Sequence, residues 1–350
     1  MSGGVDSSVA AYLLRKQGYK VIGVTMRFWQ DDSCQAAEGD TGVFEPAEDA
    51  RRVAEKLGIP HYVMDFRDVF REKVIDYFVR EYRTGRTPNP CIMCNRYVKW
   101  ESLLEKSRAL GADCVATGHY ANVVQLANGR MTLRTAQSVG GKSKDQTYAL
   151  FRLTQEQLSK TLMPCGQYTK EEIRDLALEA GLPVAHKPDS EEICFIPDKD
   201  YAGFIAHDTG LTDAPGNFVD TEGNVIGLHR GITHYTIGQR KRLGIALGRP
   251  VFVKEIRPDT NEVVIADNAD LFVRELYADD LNFMGVPDLE GRERVRAKIR
   301  YNHGGADACA ERVGDDRIRV VFDEPQRAVT PGQSVVLYRD SSVLGGGTII

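Results

Sequence analysis

The run Ser2-Gly3-Gly4-Val5-Asp6-Ser7-Ser8 stands directly before a helical pattern and constrains the fold more than any other stretch. Adjacent glycines let backbone amides face inward with no Cβ in the way. A helix N-terminus adds free N–H donors and partial positive charge. The serines add hydroxyl donors for phosphate oxygens, and Asp6 adds a carboxylate for a divalent cation such as Mg²⁺. The combination reads as a phosphate cradle, but not as a Walker A loop, because no Gly-Lys-Ser/Thr follows. The next residues supply the frame such a loop needs. Val9, Ala10, Leu13 and Leu14 share one helical face, and Gly18 ends that helix. Residues 21–26 read as a buried strand, 46–57 as a helix, and 61–65 as a second strand. Phe70, Val74, Phe78 and Tyr82 form a stripe on a longer helix, and 114–117 reads as a third strand. Strands alternating with helices imply an α/β domain with a parallel sheet.

The pattern then changes. Residues 121–126 and 131–135 flank Asn128-Gly129 as a β-hairpin. Helices follow at 155–161 and 169–180, the second opened by a Thr169–Glu172 capping box. Past 206 the helical signal fades into short strands between turn residues. The expected division is 1–205 for the α/β domain, 206–270 for a small β-rich domain, and 274–350 for a C-terminal β-barrel. A length of 350 residues suits two or three domains. No run of 18 apolar residues exists, which excludes a membrane-spanning helix, and no signal peptide opens the chain. Seven cysteines, an odd number, point to working thiols in a reducing cytoplasm rather than a disulfide scaffold. The net charge of −5 excludes coating nucleic acid through bulk charge, but not a local basic face.

Three further motifs carry chemistry. Thr87-Pro88-Asn89-Pro90-Cys91-Ile92-Met93-Cys94-Asn95 sets two thiols in a loop stiffened by prolines. Alone, the C-x-x-C leaves open a redox pair or inert buried thiols, and zinc would need about two more ligands. Pro188-Asp189-Ser190-Glu191-Glu192-Ile193-Cys194-Phe195-Ile196 places Cys194 in an apolar stretch, where a cysteine is more often core. Ala116-Thr117-Gly118-His119-Tyr120 closes a strand at the end where open α/β sheets bind ligands. There Gly118 would admit a nucleotide, while a lone His119 would more often be structural.

The first loop resembles the PP-loop of ATP pyrophosphatases, which cleave ATP between the α and β phosphates. All four motifs, in order, resemble those of the tRNA-specific 2-thiouridylase family. So do Lys144-Asp145-Gln146, Arg300-Tyr301, Pro331-Gly332-Gln333-Ser334 and the Val343–Gly347 ending. The resemblance covers the whole chain. It implies an adenine nucleotide α-hydrolase-like domain that binds ATP, with Mg²⁺, through Ser2, Gly3, Gly4, Val5, Asp6, Ser7, Ser8, Met26 and Gly118. From sequence alone, Met26 reads almost equally well as a core methionine. It implies tRNA contacts at Asn89, Pro90, Cys91, His119, Lys144, Asp145, Gln146, Arg300, Tyr301 and Gln333. The implied reaction adenylates the 2-oxygen of the wobble uridine and displaces AMP with sulfur. Cys194 matches the persulfide-bearing cysteine, and Cys94 matches the partner that attacks it, leaving a transient Cys94–Cys194 disulfide for a thiol reductant. A persulfide donor protein would supply the sulfur.

The chain departs from the family pattern in two places. An aspartate is usual where Cys91 stands, and the unperturbed pKa values differ, ~3.9 against ~8.5. Cys91 then lines the uridine pocket or, with Cys94 and Cys194, ligates an iron–sulfur cluster. The family also places a β-strand ahead of the PP-loop, whereas this chain opens at the loop, which reads as a truncated gene model. Residues 229–257 hold seven Lys or Arg against one acid, and 292–300 hold five against one. Such runs are usually solvated faces, but here they also suit a phosphate-backbone footprint. Two other readings stay open: an AMP-forming ligase acting on a small molecule, and a non-catalytic tRNA-binding or sulfur-carrying protein.

Overall fold

The computed structural model describes residues 1–28, 45–136, 138–139, 142–188 and 193–350. The chain divides into two compact units. The first holds Met1–Val74, Ile92–Glu191 and Ser341–Val343, and the second holds Ile75–Cys91, Glu192–Asp340 and Leu344–Ile350. Among the described residues no helix is long and apolar enough to cross a membrane.

In the first unit, helix α1 (Val5–Lys16) begins at Gly4, which has an extended backbone and makes no side-chain cap bond. Its apolar positions recur at helical spacing, so Val5, Val9 and Leu13 share one face. That face packs with Val53 and Leu57 of α2 (Glu45–Leu57) and with Ile173 and Ala177 of α3 (Lys170–Glu179). Strands β1 (Gly23–Arg27) and β2 (His61–Asp65) pair in parallel, with Gly23 opposite His61. Strand β3 (Val115–Ala116) pairs in parallel with β6 (Thr161–Leu162). Between them in sequence, β4 (Ala121–Gln125) and β5 (Met131–Thr135) form the expected hairpin, turned by Gly129 at φ +81.

The expected helix at 155–161 ends earlier, at Ser159. Thr161 joins the sheet instead, and its hydroxyl accepts the Trp100 indole N–H at 2.7 Å. Tertiary pairing overrides a helical pattern here, because a β-branched residue fits a pleated strand at little cost. The stripe on Phe70, Val74, Phe78 and Tyr82 is not one regular helix. Arg67–Phe70 is α-helical, Arg71–Ile75 forms a π-helical turn, and Asp76–Arg83 is α-helical again. A π turn inserts one residue and rotates the stripe.

In the second unit, helix α4 (Tyr201–Thr209) extends past the point where the sequence pattern fades. Asp200 caps it at one end, and Gly210 at φ 67 closes the other. Four strands follow: β7 (Gly216–Val219), β8 (Val225–His229), β9 (Phe252–Arg257) and β10 (Glu262–Ala266). They form a sheet in the order β8-β7-β10-β9 around Phe218, Tyr235, Val253 and Val263. The last six strands are β11 (Phe272–Phe283), β12 (Glu293–Lys298), β13 (Ala306–Gly314), β14 (Arg317–Arg327), β15 (Ser334–Arg339) and β16 (Ser342–Ile349). They run β11-β14-β13-β12-β15-β16, and β16 returns to β11. This closure makes the expected barrel, and the β4–β5 hairpin adds to the same sheet where Ser342 of β16 pairs with Arg134. Small residues (Ala297, Ala308, Ala310) and larger ones (Ile318, Val320, Phe322) together fill its core.

Candidate functional site: a phosphate cradle and two cysteine segments

The cradle lies wholly in the first unit. Gly3 adopts φ +69, and a Cβ there would stand 2.5 Å from the Pro46 carbonyl oxygen. The Ser2 amide donates to Ser7 Oγ at 3.1 Å, which folds the loop over the start of α1. The Ser8 hydroxyl is buried and donates to the Gly4 carbonyl at 2.8 Å. Its hydrogen therefore pins the loop rather than pointing outward. Gly118, just past β3, lies against the loop so closely that a Cβ would come within 2.6 Å of Asp6 C and 2.7 Å of Ser7 N. Met26, on β1, is half-buried opposite Met64.

Asp6 sits at the centre. Its Oδ1 accepts the Tyr120 hydroxyl at 2.7 Å and the Lys170 ammonium at 2.6 Å. The buried Cys165 thiol donates to its carbonyl oxygen at 3.5 Å. Burial first, and the Asp6 charge second, push that thiol up to about 12, so Cys165 stays protonated. Lys170 and the Tyr120 hydroxyl were not expected from the sequence. The available signal was spacing: Lys170, Ile173 and Ala177 lie on one stripe of α3. The capping box, with Glu172 N to Thr169 Oγ1 at 3.2 Å and Thr169 N to Glu172 Oε2 at 2.7 Å, fixes where that stripe starts. The uncapped N-terminus of α1 and the hard Asp6 oxygens form a donor set suited to a metal-bound polyphosphate.

His119 extends from the same strand end. Its Nδ1 lies 2.9 Å from Thr117 Oγ1, and its ring lies 5.5 Å from that of Trp100. Burial, and then the Lys99 charge, hold its pKa well below the ordinary histidine value. The ring is therefore a neutral hydrogen-bonding group near pH 7. Gln146 brackets Tyr120: its side-chain oxygen accepts the Tyr120 amide at 2.9 Å, and its own amide donates to the Tyr120 carbonyl at 3.0 Å. Asp145 accepts the Thr147 hydroxyl at 2.8 Å, while Lys144 is exposed. Cys94 is buried and opens a π-helical segment, Cys94–Ser102; such segments are frequent at functional sites. Next to it, the Asn95 amide donates to the Ala149 carbonyl at 2.9 Å.

The second unit brings together two segments singled out in the sequence. Asn89 Oδ1 accepts the Cys91 amide at 3.1 Å. Upstream, the Thr87 amide donates to the Pro331 carbonyl at 2.9 Å, and Gln333 Nε2 donates to the Thr87 carbonyl at 2.8 Å. The Pro331–Ser334 segment thus braces the loop carrying Pro90 and the exposed Cys91. Residues 189–192 of the Cys194 motif lie outside the described residues. Cys194 itself is exposed, while Phe195 is buried against Phe78 and Phe204 at ring distances of 5.5 and 5.2 Å. On the barrel, Arg300 donates to the Arg327 carbonyl at 3.1 Å and Tyr301 is exposed. Among the described residues no group of three or more His, Cys, Asp and Glu side chains is formed that could hold a metal ion. No ligand set for an iron–sulfur cluster is present among them.

The basic runs are only partly free. Arg294 pairs with Asp323, Arg257 with Glu255, and Arg249 with Asp267. Arg240, Lys241 and Arg242 are exposed and, among the described residues, in no ion pair. Arg240 edges a groove floored by Leu243, Ile245 and Val251.

Three domain families match in succession: a tRNA methyl transferase HUP domain over residues 1–198, a tRNA methyl transferase PRC-barrel domain over 203–267, and an aminomethyltransferase β-barrel domain over 273–349. The tRNA-specific 2-thiouridylase MnmA of Lachnoclostridium phytofermentans is 60% identical over 352 residues, covering 100% of this chain and 98% of that protein. The protein of the same name in Clostridioides difficile is 55% identical over 350 residues, covering 100% and 96%. That of Acetivibrio thermocellus is 54% identical over 351 residues, covering 100% and 97%. With identity at this level along its whole length, and with the cradle and both cysteine segments in place, the chain belongs to the tRNA-specific 2-thiouridylase family.

Proposed function

We infer that this chain is an ATP-dependent tRNA-uridine 2-sulfurtransferase. The full-length identity to 2-thiouridylases carries this reading, and the Asp6-centred cradle supplies its chemistry. A small-molecule ligase and a non-catalytic carrier are not favoured. A uridine carbonyl oxygen leaves poorly, so it is first joined to the α-phosphorus of ATP, and pyrophosphate departs. The loop amides and α1 N-terminus orient the phosphates, Gly118 lets the nucleotide approach, and Met26 borders the adenine. Mg²⁺, when bound, would neutralise the phosphates beside Asp6. The outer sulfur of a Cys194 persulfide then attacks C2, and AMP leaves with the oxygen. Cys94 thiolate attacks Cys194 Sγ, which breaks the persulfide bond and forms the Cys94–Cys194 disulfide. A thiol reductant returns two electrons, and a persulfide donor protein reloads Cys194. These steps require the reducing cytoplasm expected from the cysteine content.

Neutral His119 in the first unit meets the extruded uridine; in the second unit, the braced Asn89–Cys91 loop is a tRNA contact. Lys144, Asp145, Gln146, Arg300, Tyr301 and Gln333 meet the tRNA as well. Asp145, Gln146 and Gln333 also hold their own segments in place. The barrel of residues 274–350 and the 206–270 domain carry the phosphate-backbone contacts.

The test is product analysis. Protein with tRNA, ATP and a persulfide source should yield AMP, pyrophosphate and 2-thiouridine, read by nucleoside mass. Asp6→Ala should lower AMP formation by about 10²-fold or more, the cost of misplacing reacting groups. ADP as the nucleotide product would refute the reading.

Charge reversal at Arg240, Lys241 and Arg242 should weaken tRNA binding and reduce the log–log salt slope by about 0.7–0.9 for each phosphate no longer neutralised. An unchanged slope in a salt titration would assign these residues to a solvated face.

A further inference from the structure

Resting on the ATP reading above, we propose that Lys170 is a ligand for the β- and γ-phosphates of ATP, held on Asp6 until the nucleotide arrives. Lys170 Nζ lies 2.6 Å from Asp6 Oδ1, across 164 residues of sequence. The side chain is only 14% exposed. A largely desolvated ammonium is retained only where a partner compensates it. Here the partner is the one carboxylate of the phosphate-binding loop. Asp6 occupies the first turn of α1, so the ammonium stands at the mouth of the helix N-terminus, where an anion binds.

The backbone of Lys170 is fixed, and its flexible stem can carry the ammonium to a new partner. The capping box and the buried Ile173 and Ala177 anchor the first turns of α3. The four-carbon stem leaves the ammonium three rotatable donors. The Tyr120 hydroxyl shares the same Asp6 oxygen at 2.7 Å, so the carboxylate keeps one partner if the lysine turns away. A polyphosphate offers the ammonium several anionic oxygens in place of one. The placement suits the bond that breaks. Cleavage between the α and β phosphates gathers charge on the departing pyrophosphate, and a cation positioned there stabilises that charge in the transition state. AMP retains only the α-phosphate, so it would not need Lys170.

This difference defines the experiment. Calorimetry on the full chain, with Mg²⁺ and without tRNA, measures binding of AMP, pyrophosphate and a non-cleavable α,β-methylene ATP. Lys170→Ala and Lys170→Met, the second keeping the apolar stem, should weaken the ATP analogue and pyrophosphate by about 10–100-fold, as expected for loss of a charge-assisted bond. AMP affinity should stay within about twofold, which also reports that the site is folded. Lys170→Arg should recover part of the loss. Equal weakening of AMP and the ATP analogue would make Lys170 a structural brace and overturn the proposal, as would no weakening of either. A wild-type protein that binds neither ligand would overturn the ATP reading itself, and that outcome is distinct from failure of Lys170 alone.

Discussion

Cys94→Ser and Cys194→Ser should each lower 2-thiouridine formation by at least about 10³-fold, the scale of losing a covalent participant. ATP and tRNA binding should persist in both variants. A serine oxygen cannot carry the outer sulfur in place of Cys194, and it cannot take up the disulfide in place of Cys94. The electron count requires both thiols: two sulfur atoms are oxidised to a disulfide as one sulfur enters the base. Local structure fits the two roles. Cys194 is exposed, as the proposed reloading by a persulfide donor would require, while its neighbour Phe195 is buried and anchors the segment. Cys94 is buried at the first residue of a π-helical segment. Cys309→Ser should leave activity intact, because Arg294 beside it retains its paired Asp323. Cys34→Ser should do the same, though Cys34 lies outside the described residues. Cys91→Asp should be tolerated, and Cys91→Ala should reduce activity modestly. Nucleoside mass analysis of tRNA after a timed reaction reads every one of these variants. Wild-type turnover by both Cys94→Ser and Cys194→Ser would eliminate the persulfide mechanism.

Gly118→Ala is expected to slow nucleotide activation by about 100-fold while leaving tRNA binding unchanged. The added Cβ would meet Asp6 C at 2.6 Å and Ser7 N at 2.7 Å. Both atoms are backbone, so neither can swing aside as a side-chain tip would. The loop or the strand end must shift, and a misplacement of about 1 Å costs on the order of 10²-fold in rate. Nothing in the backbone angle forbids alanine at Gly118, so the effect isolates contact from strain. The control is Gly304→Ala, whose Cβ would have no neighbour within 4 Å. AMP release in the presence of tRNA should fall by about two orders of magnitude in Gly118→Ala and stay at the wild-type rate in Gly304→Ala. A normal rate in Gly118→Ala would show that the loop tolerates displacement and that Gly118 does not set nucleotide approach.

Much of the fold was legible because its signals are local. The Thr169–Glu172 box is two side chains bonding backbone groups three residues away, so it survives translation into structure unchanged. The hairpin around Asn128-Gly129 needs a positive φ, and Gly129 supplies it at +81. Apolar residues fill α1 so densely that the helix is buried on most sides, at Val5, Ser8, Val9, Ala10, Ala11, Leu13 and Leu14. Where local preference was weak, tertiary contact decided. Thr161 left the expected helix for a strand beside Val115. The stripe through Phe70 and Tyr82 acquired a π turn that no residue announces.

The candidate site divides along the same line. The order and composition of the motifs single out the phosphate loop, the two cysteines and the segments expected to meet RNA. Those are statements about residue type, and residue type is what a sequence records. Spacing alone did not reveal that Asp6 shares one oxygen between Tyr120 and Lys170, that Ser8 turns inward onto Gly4, or that Gln333 braces Thr87. The last pair is separated by 246 residues and the Lys170 pair by 164. A contact across such distances has no local signature, because it exists only after helices and strands have packed their apolar faces and carried the polar side chains with them. Residue types set the chemistry available to this protein. Packing of α1 against α3 decided which charge would stand beside Asp6, since a side chain a few ångströms long finds only the partners that the buried faces of its helix bring within reach.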